Sequence, residues 1–183
     1  MNKLRTIGLV LLTMILTACG SDFEYTRGKC YLVFDNSTAL VPQLAAAMNA
    51  MSPGVYCHVY KTVEHGMPAF AFEEYGGQKT TCTYTAAQQQ MTLVFGRMDE
   101  SGVIVGFGVF GDGFVAYDMQ CQACSALTVM NPRTPLTWKT ERSVECKKCG
   151  AVYDLTTGYS SEGKRLTTYR ASTTGPFGLL SVH

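Results

Sequence analysis

Hydrophobic and polar positions divide the chain into a short apolar lead and a long stretch of strand-sized segments. Lys3 and Arg5 precede a run from Ile7 to Leu16 that is almost purely apolar and stops at Gly20, Ser21 and Asp22. Residues 20–29 are polar and without periodicity, which reads as a tether. Tyr31-Leu32-Val33-Phe34 is a compact run of β-formers. Leu40, Leu44, Ala47, Met48 and Met51 then recur at helical spacing. Asn36 or Ser37 is placed to cap that helix, and Pro42 falls in its early turns. Ser52-Pro53-Gly54 ends it.

Beyond Gly54 the pattern is β. Val55, Cys57 and Val59 alternate with Tyr56, His58 and Tyr60, predicting a half-buried strand with His58 at the surface or an edge. Pro68–Glu73 and Thr80–Thr85 predict two more strands around Gly76-Gly77, and Thr85–Gln90 predicts one helical turn. Met91–Phe95 and Val103–Phe110 predict strands, and Gly111-Asp112-Gly113 a hairpin turn into Phe114–Asp118. Later strands are expected at Tyr153, Leu166–Arg170 and Phe177–Val182. Many short strands with glycine turns argue for a small, mostly β sandwich or barrel with one short N-terminal helix.

Length and charge narrow the function classes. The chain has 183 residues, enough for one domain once a targeting segment is removed. Its 16% charged residues and net charge of +1 give no reason to expect nucleic acid as a partner. No G-x-S-x-G, HExxH or phosphate-binding glycine loop is present, so an enzymatic role is not indicated.

A positive start, an apolar run too short for the roughly 20 residues of a membrane span, and small residues before a cleavage point mark a secretory signal over residues 1–18. Leu16-Thr17-Ala18-Cys19 resembles the lipobox of bacterial lipoproteins. That resemblance implies lipid attachment at Cys19, a tether over 19–29 and a domain over 30–183. It also implies a location at the cell membrane or outer membrane, facing the periplasm or the exterior. Fatty chains of this kind, palmitate included, add about 0.8 kcal/mol of membrane affinity per buried methylene. The expected partners are therefore the membrane and an unidentified protein.

Of the eight cysteines, removing Cys19 leaves an odd set: Cys30, Cys57, Cys82, Cys121, Cys124, Cys146 and Cys149. Cys30, Cys57 and Cys82 lie in or beside strands and read first as small buried hydrophobes. The other four form two CxxC pairs, Cys121-Gln122-Ala123-Cys124 and Cys146-Lys147-Lys148-Cys149, the second followed by Gly150. One CxxC is a weak signal, whereas two separated by residues 125–145 point to one tetrahedral four-sulfur site. A tight turn between paired ligands aims both sulfurs at one ion. Gly150 suits that turn because glycine takes positive φ at little cost. Four thiolates on a divalent ion leave a local charge of about −2, which Lys147 and Lys148 are placed to offset. Zinc, a [2Fe–2S] cluster and two disulfides compete for these sulfurs. Thiol–disulfide exchange is disfavoured, because neither pair is followed by helical periodicity. Trp138, between the pairs, is expected to pack under that loop.

Cys149-Gly150-Ala151-Val152-Tyr153-Asp154-Leu155-Thr156-Thr157-Gly158 resembles the second ligand box of Rieske-type domains. Ala116-Tyr117-Asp118 before Cys121 is similar to the entry of the first box, and Val103-Ile104-Val105-Gly106 to the strand before it. The resemblance covers roughly residues 90–182 and implies a Rieske-like fold whose metal-binding part spans about 116–158. It departs at the ligands, for Cys124 and Cys149 stand where Rieske centres carry histidine, and His58, His65 and His183 lie away from both pairs. Histidine ligation is what raises a Rieske potential, so the likeness implies the fold more firmly than electron transfer. The resulting expectation is a non-enzymatic envelope lipoprotein with structural zinc. A [2Fe–2S] electron carrier is the alternative.

Overall fold

A computed structural model describes residues 30–97, 101–111, 113–125 and 134–183. The predicted signal, Cys19 and the tether lie outside the described residues, as does Asp112. Among the described residues, no helix is long and apolar enough to cross a membrane.

The chain is mostly β, as the pattern predicts, and every strand pair is antiparallel. The elements in order are β1 (Leu32–Asp35), α1 (Asn36–Ala39), α2 (Pro42–Ala47), β2 (Tyr56–Glu64), β3 (Met67–Glu73), β4 (Lys79–Thr83), α3 (Ala86–Gln89), β5 (Val103–Phe107) and β6 (Phe114–Asp118). They continue with α4 (Gln122–Ser125), β7 (Leu136–Thr140), β8 (Ser143–Cys146), β9 (Val152–Asp154), β10 (Tyr159–Ser160), β11 (Thr168–Tyr169), β12 (Ala171–Thr173) and β13 (Leu179–Val182). Among the described residues three sheets result: a six-stranded sheet β11-β6-β5-β2-β3-β4, a three-stranded sheet β1-β13-β12, and a four-stranded sheet β10-β9-β8-β7.

The six-stranded sheet is covered on both faces. Cys57 and Val59 of β2, Val103 and Val105 of β5, and Ala116 of β6 join one core with Leu32, Phe34, Leu44, Phe70, Phe72 and Phe95. Their neighbours in sequence, Tyr56, Ile104, Val115 and Tyr117, point the other way into a second core with Leu136, Val144, Tyr153 and Leu155. Successive side chains of a strand alternate faces, so a sheet buried on both sides produces unbroken apolar runs. For this reason β2 is not half-buried over its first residues, since Tyr56 is covered as fully as Cys57. Cys30 and Cys57 are buried and Cys82 is half-buried, as small hydrophobes would be, and among the described residues no disulfide joins any two of them.

Four local expectations are corrected. The predicted single helix is two short ones. Val41 precedes Pro42, and a residue before proline is pushed out of the α region; Val41 is extended (ψ 114°) and Leu40 is left-handed (φ 50°). Asp35, not Asn36 or Ser37, caps the first helix, accepting from Ser37 N at 2.9 Å. The buried Asn36 side chain pins the break instead, accepting from Val41 N at 2.8 Å and donating to Pro176 O at 2.8 Å. Met51 therefore lies past the helix end and is 88% exposed.

Met91–Phe95 is not a strand. Among the described residues only Val94 pairs, exchanging two backbone hydrogen bonds with Tyr31, while Leu93 and Phe95 plug the first core. His58 is not at the surface. It is partly buried beside Tyr60, with Nε2 2.7 Å from the Ser101 carbonyl oxygen. Other expectations hold in part: Thr85 and Gln88 close a capping box on α3, and β5 pairs with β6 from Phe107↔Phe114 to Val103↔Asp118, ending at Phe107 rather than Phe110, while β7 and β8 are strands that the pattern does not predict.

Candidate metal centre

The four paired cysteines arrive on two different parts of the fold. β6 ends at Asp118, whose carboxylate accepts from Gln120 N at 2.8 Å, Arg97 N at 2.6 Å and the Tyr169 hydroxyl at 2.6 Å. These bonds hold the exit of β6. The amide side chain of Gln120 then ties the segment on both sides, bonding the Ser101 hydroxyl and accepting from Thr134 N. Cys121 follows, its N–H donating to Thr134 O at 3.0 Å. Cys124 is carried on α4, a single helical turn that the sequence pattern does not predict.

Cys146 ends β8. The chain reverses through Lys147, Lys148 and Cys149 to Gly150 at φ 75°, whose N–H donates to Cys146 O at 2.8 Å, and Cys146 N donates to Ala151 O at 2.9 Å. The tight turn expected between paired ligands is thus present. Lys147 forms an ion pair with Glu145, which also lies 3.9 Å from Lys139. The positive charge of Lys147 is therefore shared with a carboxylate rather than reserved for the sulfurs.

All four sulfurs lie within 4.8 Å of one another, so Cys121, Cys124, Cys146 and Cys149 could hold one metal ion. The contact from Cys121 to Cys149 is 3.6 Å and that from Cys124 to Cys146 is 3.7 Å. A zinc–sulfur bond of about 2.3 Å places tetrahedral ligands about 3.8 Å apart, so the donor set fits a single four-coordinate ion. Cys121, Cys124 and Cys146 are buried and Cys149 is exposed.

Burial and the neighbouring sulfurs push the Cys124 thiol up to about 12. Burial raises Cys146 as well, but the backbone N–H groups of Cys149 and Lys148 outweigh it and bring that thiol down to about 7. Burial also raises Cys121, opposed by the hydroxyl of Tyr153. Converging sulfurs inside an apolar shell disfavour further negative charge, which a cation would relieve.

Tyr153 is a site residue that spacing alone does not reveal as one. It is wholly buried on β9, with its hydroxyl 3.6 Å from Cys121 Sγ and accepting from Ala123 N at 3.0 Å. The hydroxyl thus bridges the Ala123 N–H and the Cys121 sulfur. A tyrosine in a buried strand must find a polar partner for its oxygen, and that requirement is the available signal. Met119, Leu136, Val144 and Leu155 complete the apolar wall. Trp138 stands on β7, partly packed against this core and edge-on to Tyr75, and residues 126–133 of the expected covering loop lie outside the described residues. No family model matches the chain and no curated protein matches it, so the residues themselves carry the functional reading.

Proposed function

We propose that this chain is an exported lipoprotein, tethered to a membrane through Cys19, whose Rieske-like domain holds one zinc ion through Cys121, Cys124, Cys146 and Cys149 as a structural clip. The observation that carries the metal reading is the mutual approach of all four sulfurs within 4.8 Å. A [2Fe–2S] cluster divides its ligands between two irons and so spreads the two pairs apart; convergence of all four favours one ion. Zinc supplies no redox chemistry, and binding it to four thiolates is coupled to folding. The protein is then a non-enzymatic envelope component that presents its surface to a protein partner. The lipid anchor is supported by the Leu16–Cys19 motif after the apolar run.

Two measurements test this reading. The full-length chain, purified from membranes, is expected to be colourless and to contain one zinc per polypeptide; a brown protein with iron and acid-labile sulfide overturns the zinc reading. Cys19→Ser is expected to shift the protein from the membrane pellet to the soluble fraction, and unchanged membrane association contradicts the anchor.

A further inference from the structure

The four sulfurs are not equivalent. Three are buried among Tyr117, Met119, Leu136, Val144 and Tyr153, while Cys149 is exposed at the outer side of its turn. Two sulfur contacts, Cys121–Cys149 at 3.6 Å and Cys124–Cys146 at 3.7 Å, run between the loops. The exposed residue Cys149 thus has a buried sulfur of the other loop, Cys121, within 3.6 Å, and the Tyr153 hydroxyl lies against that buried sulfur.

Resting on the metal reading above, we propose that Cys149 is the oxidation-sensitive entry to this centre, and that oxidation by a peroxide forms a Cys121–Cys149 disulfide, exchanging the metal clip for a covalent one across the same two loops. The chemistry balances. Cys149 Sγ attacks a peroxide oxygen, the O–O bond breaks and one water leaves after protonation, giving a sulfenic acid. Cys121 Sγ then attacks the Cys149 sulfur, an S–S bond forms, the S–O bond breaks, and the oxygen departs as a second water. The two sulfurs lose two electrons to the peroxide. The ion loses two of four ligands and dissociates. Because the bond crosses between loops, the second core stays closed after the metal is gone. A bond inside the Cys146–Cys149 turn would leave the loops unconnected.

The test uses the full-length, metal-loaded chain, with zinc content measured first. One equivalent of hydrogen peroxide is added, released zinc is followed with a metallochromic dye, and the disulfide is located by peptide mapping without reduction. Trypsin cuts after Lys147 and Lys148, so Cys146 and Cys149 fall on different peptides and the two connectivities separate. The expected result is zinc release together with a Cys121–Cys149 cross-link, and alkylation of Cys149 by iodoacetamide about tenfold faster than of the three buried cysteines, as accessibility governs thiol reactivity. A zinc-loaded chain that first forms Cys146–Cys149, or is first modified at Cys124 or Cys146, overturns this inference and leaves the metal reading standing. A chain purified without metal overturns both.

Discussion

Asp118 is a wholly buried carboxylate with three donors on it, from Tyr169, Gln120 and Arg97. Burial raises its pKa and those hydrogen bonds oppose the rise. Asp118→Asn turns one acceptor oxygen into a donor facing donors, and it is expected to cost about 1–3 kcal/mol in urea unfolding. His58 yields a prediction in pH. Burial lowers its pKa below the usual 6.5, against smaller opposing effects of the Ser101 carbonyl and Glu73. Below about pH 6.5 the unfolded chain takes up a proton that the folded chain resists, so stability contributed by neutral His58 falls as pH drops from about 6.5 toward the lowered value. His58→Gln is expected to flatten that part of the stability–pH curve, whereas an unchanged slope contradicts the assignment. At Gly102, with φ +77°, an added Cβ would sit 2.4 Å from the Val59 carbonyl oxygen. Gly102→Ala is therefore expected to be among the most damaging substitutions in the sheet, read as loss of soluble folded protein.

At the scale of elements, Cys121 and Cys124 follow β6 of the large sheet, while Cys146 and Cys149 belong to the β8–β9 turn of the four-stranded sheet. An ion held by all four ties one sheet to the other. Cys121→Ser and Cys149→Ser are each expected to lower the thermal midpoint strongly, and equal melting of both variants and the parent contradicts a structural clip. Much of this arrangement is legible in the sequence. The β2–β3–β4 meander, the β5–β6 hairpin and the capped turn at Thr85 follow from alternation and turn residues. The convergence of the sulfurs follows from the two CxxC spacings.

What stays illegible has physical causes. Alternation fails at β2 because a second layer covers the other face of the sheet, placing Tyr56 in a core. Helical periodicity overruns Val41–Pro42, because the pattern of apolar positions does not feel the restriction that proline puts on its neighbour. An apolar pentad at Met91–Phe95 looks like a strand, yet its side chains fill a core while its backbone pairs only at Val94. Tyr153 could be placed on a strand, but its bond to Cys121 depends on a contact between distant segments.

For the whole molecule, two cores share one sheet. The first is assembled mainly from aromatic and aliphatic side chains, with Phe34 against Phe70 at 5.0 Å and against Phe72 at 4.6 Å. Phe70→Ala is expected to cost about 3–5 kcal/mol whether or not metal is present. The second core contains three of the paired cysteines in its apolar wall, so on the zinc reading its integrity depends on the ion. With free metal at about a thousand times its dissociation constant, binding to the folded state alone adds about 4 kcal/mol of stability. Chelation is therefore expected to loosen β7–β10 first, seen as faster amide exchange there than in β2, β3 and β5.

The most direct test of the centre is X-ray absorption at the metal edge on the intact protein. One zinc per chain, with four sulfur neighbours at about 2.3 Å and no second metal nearby, is the predicted spectrum. An iron edge with an iron neighbour, or a metal-free protein with its four cysteines paired as disulfides, would contradict it.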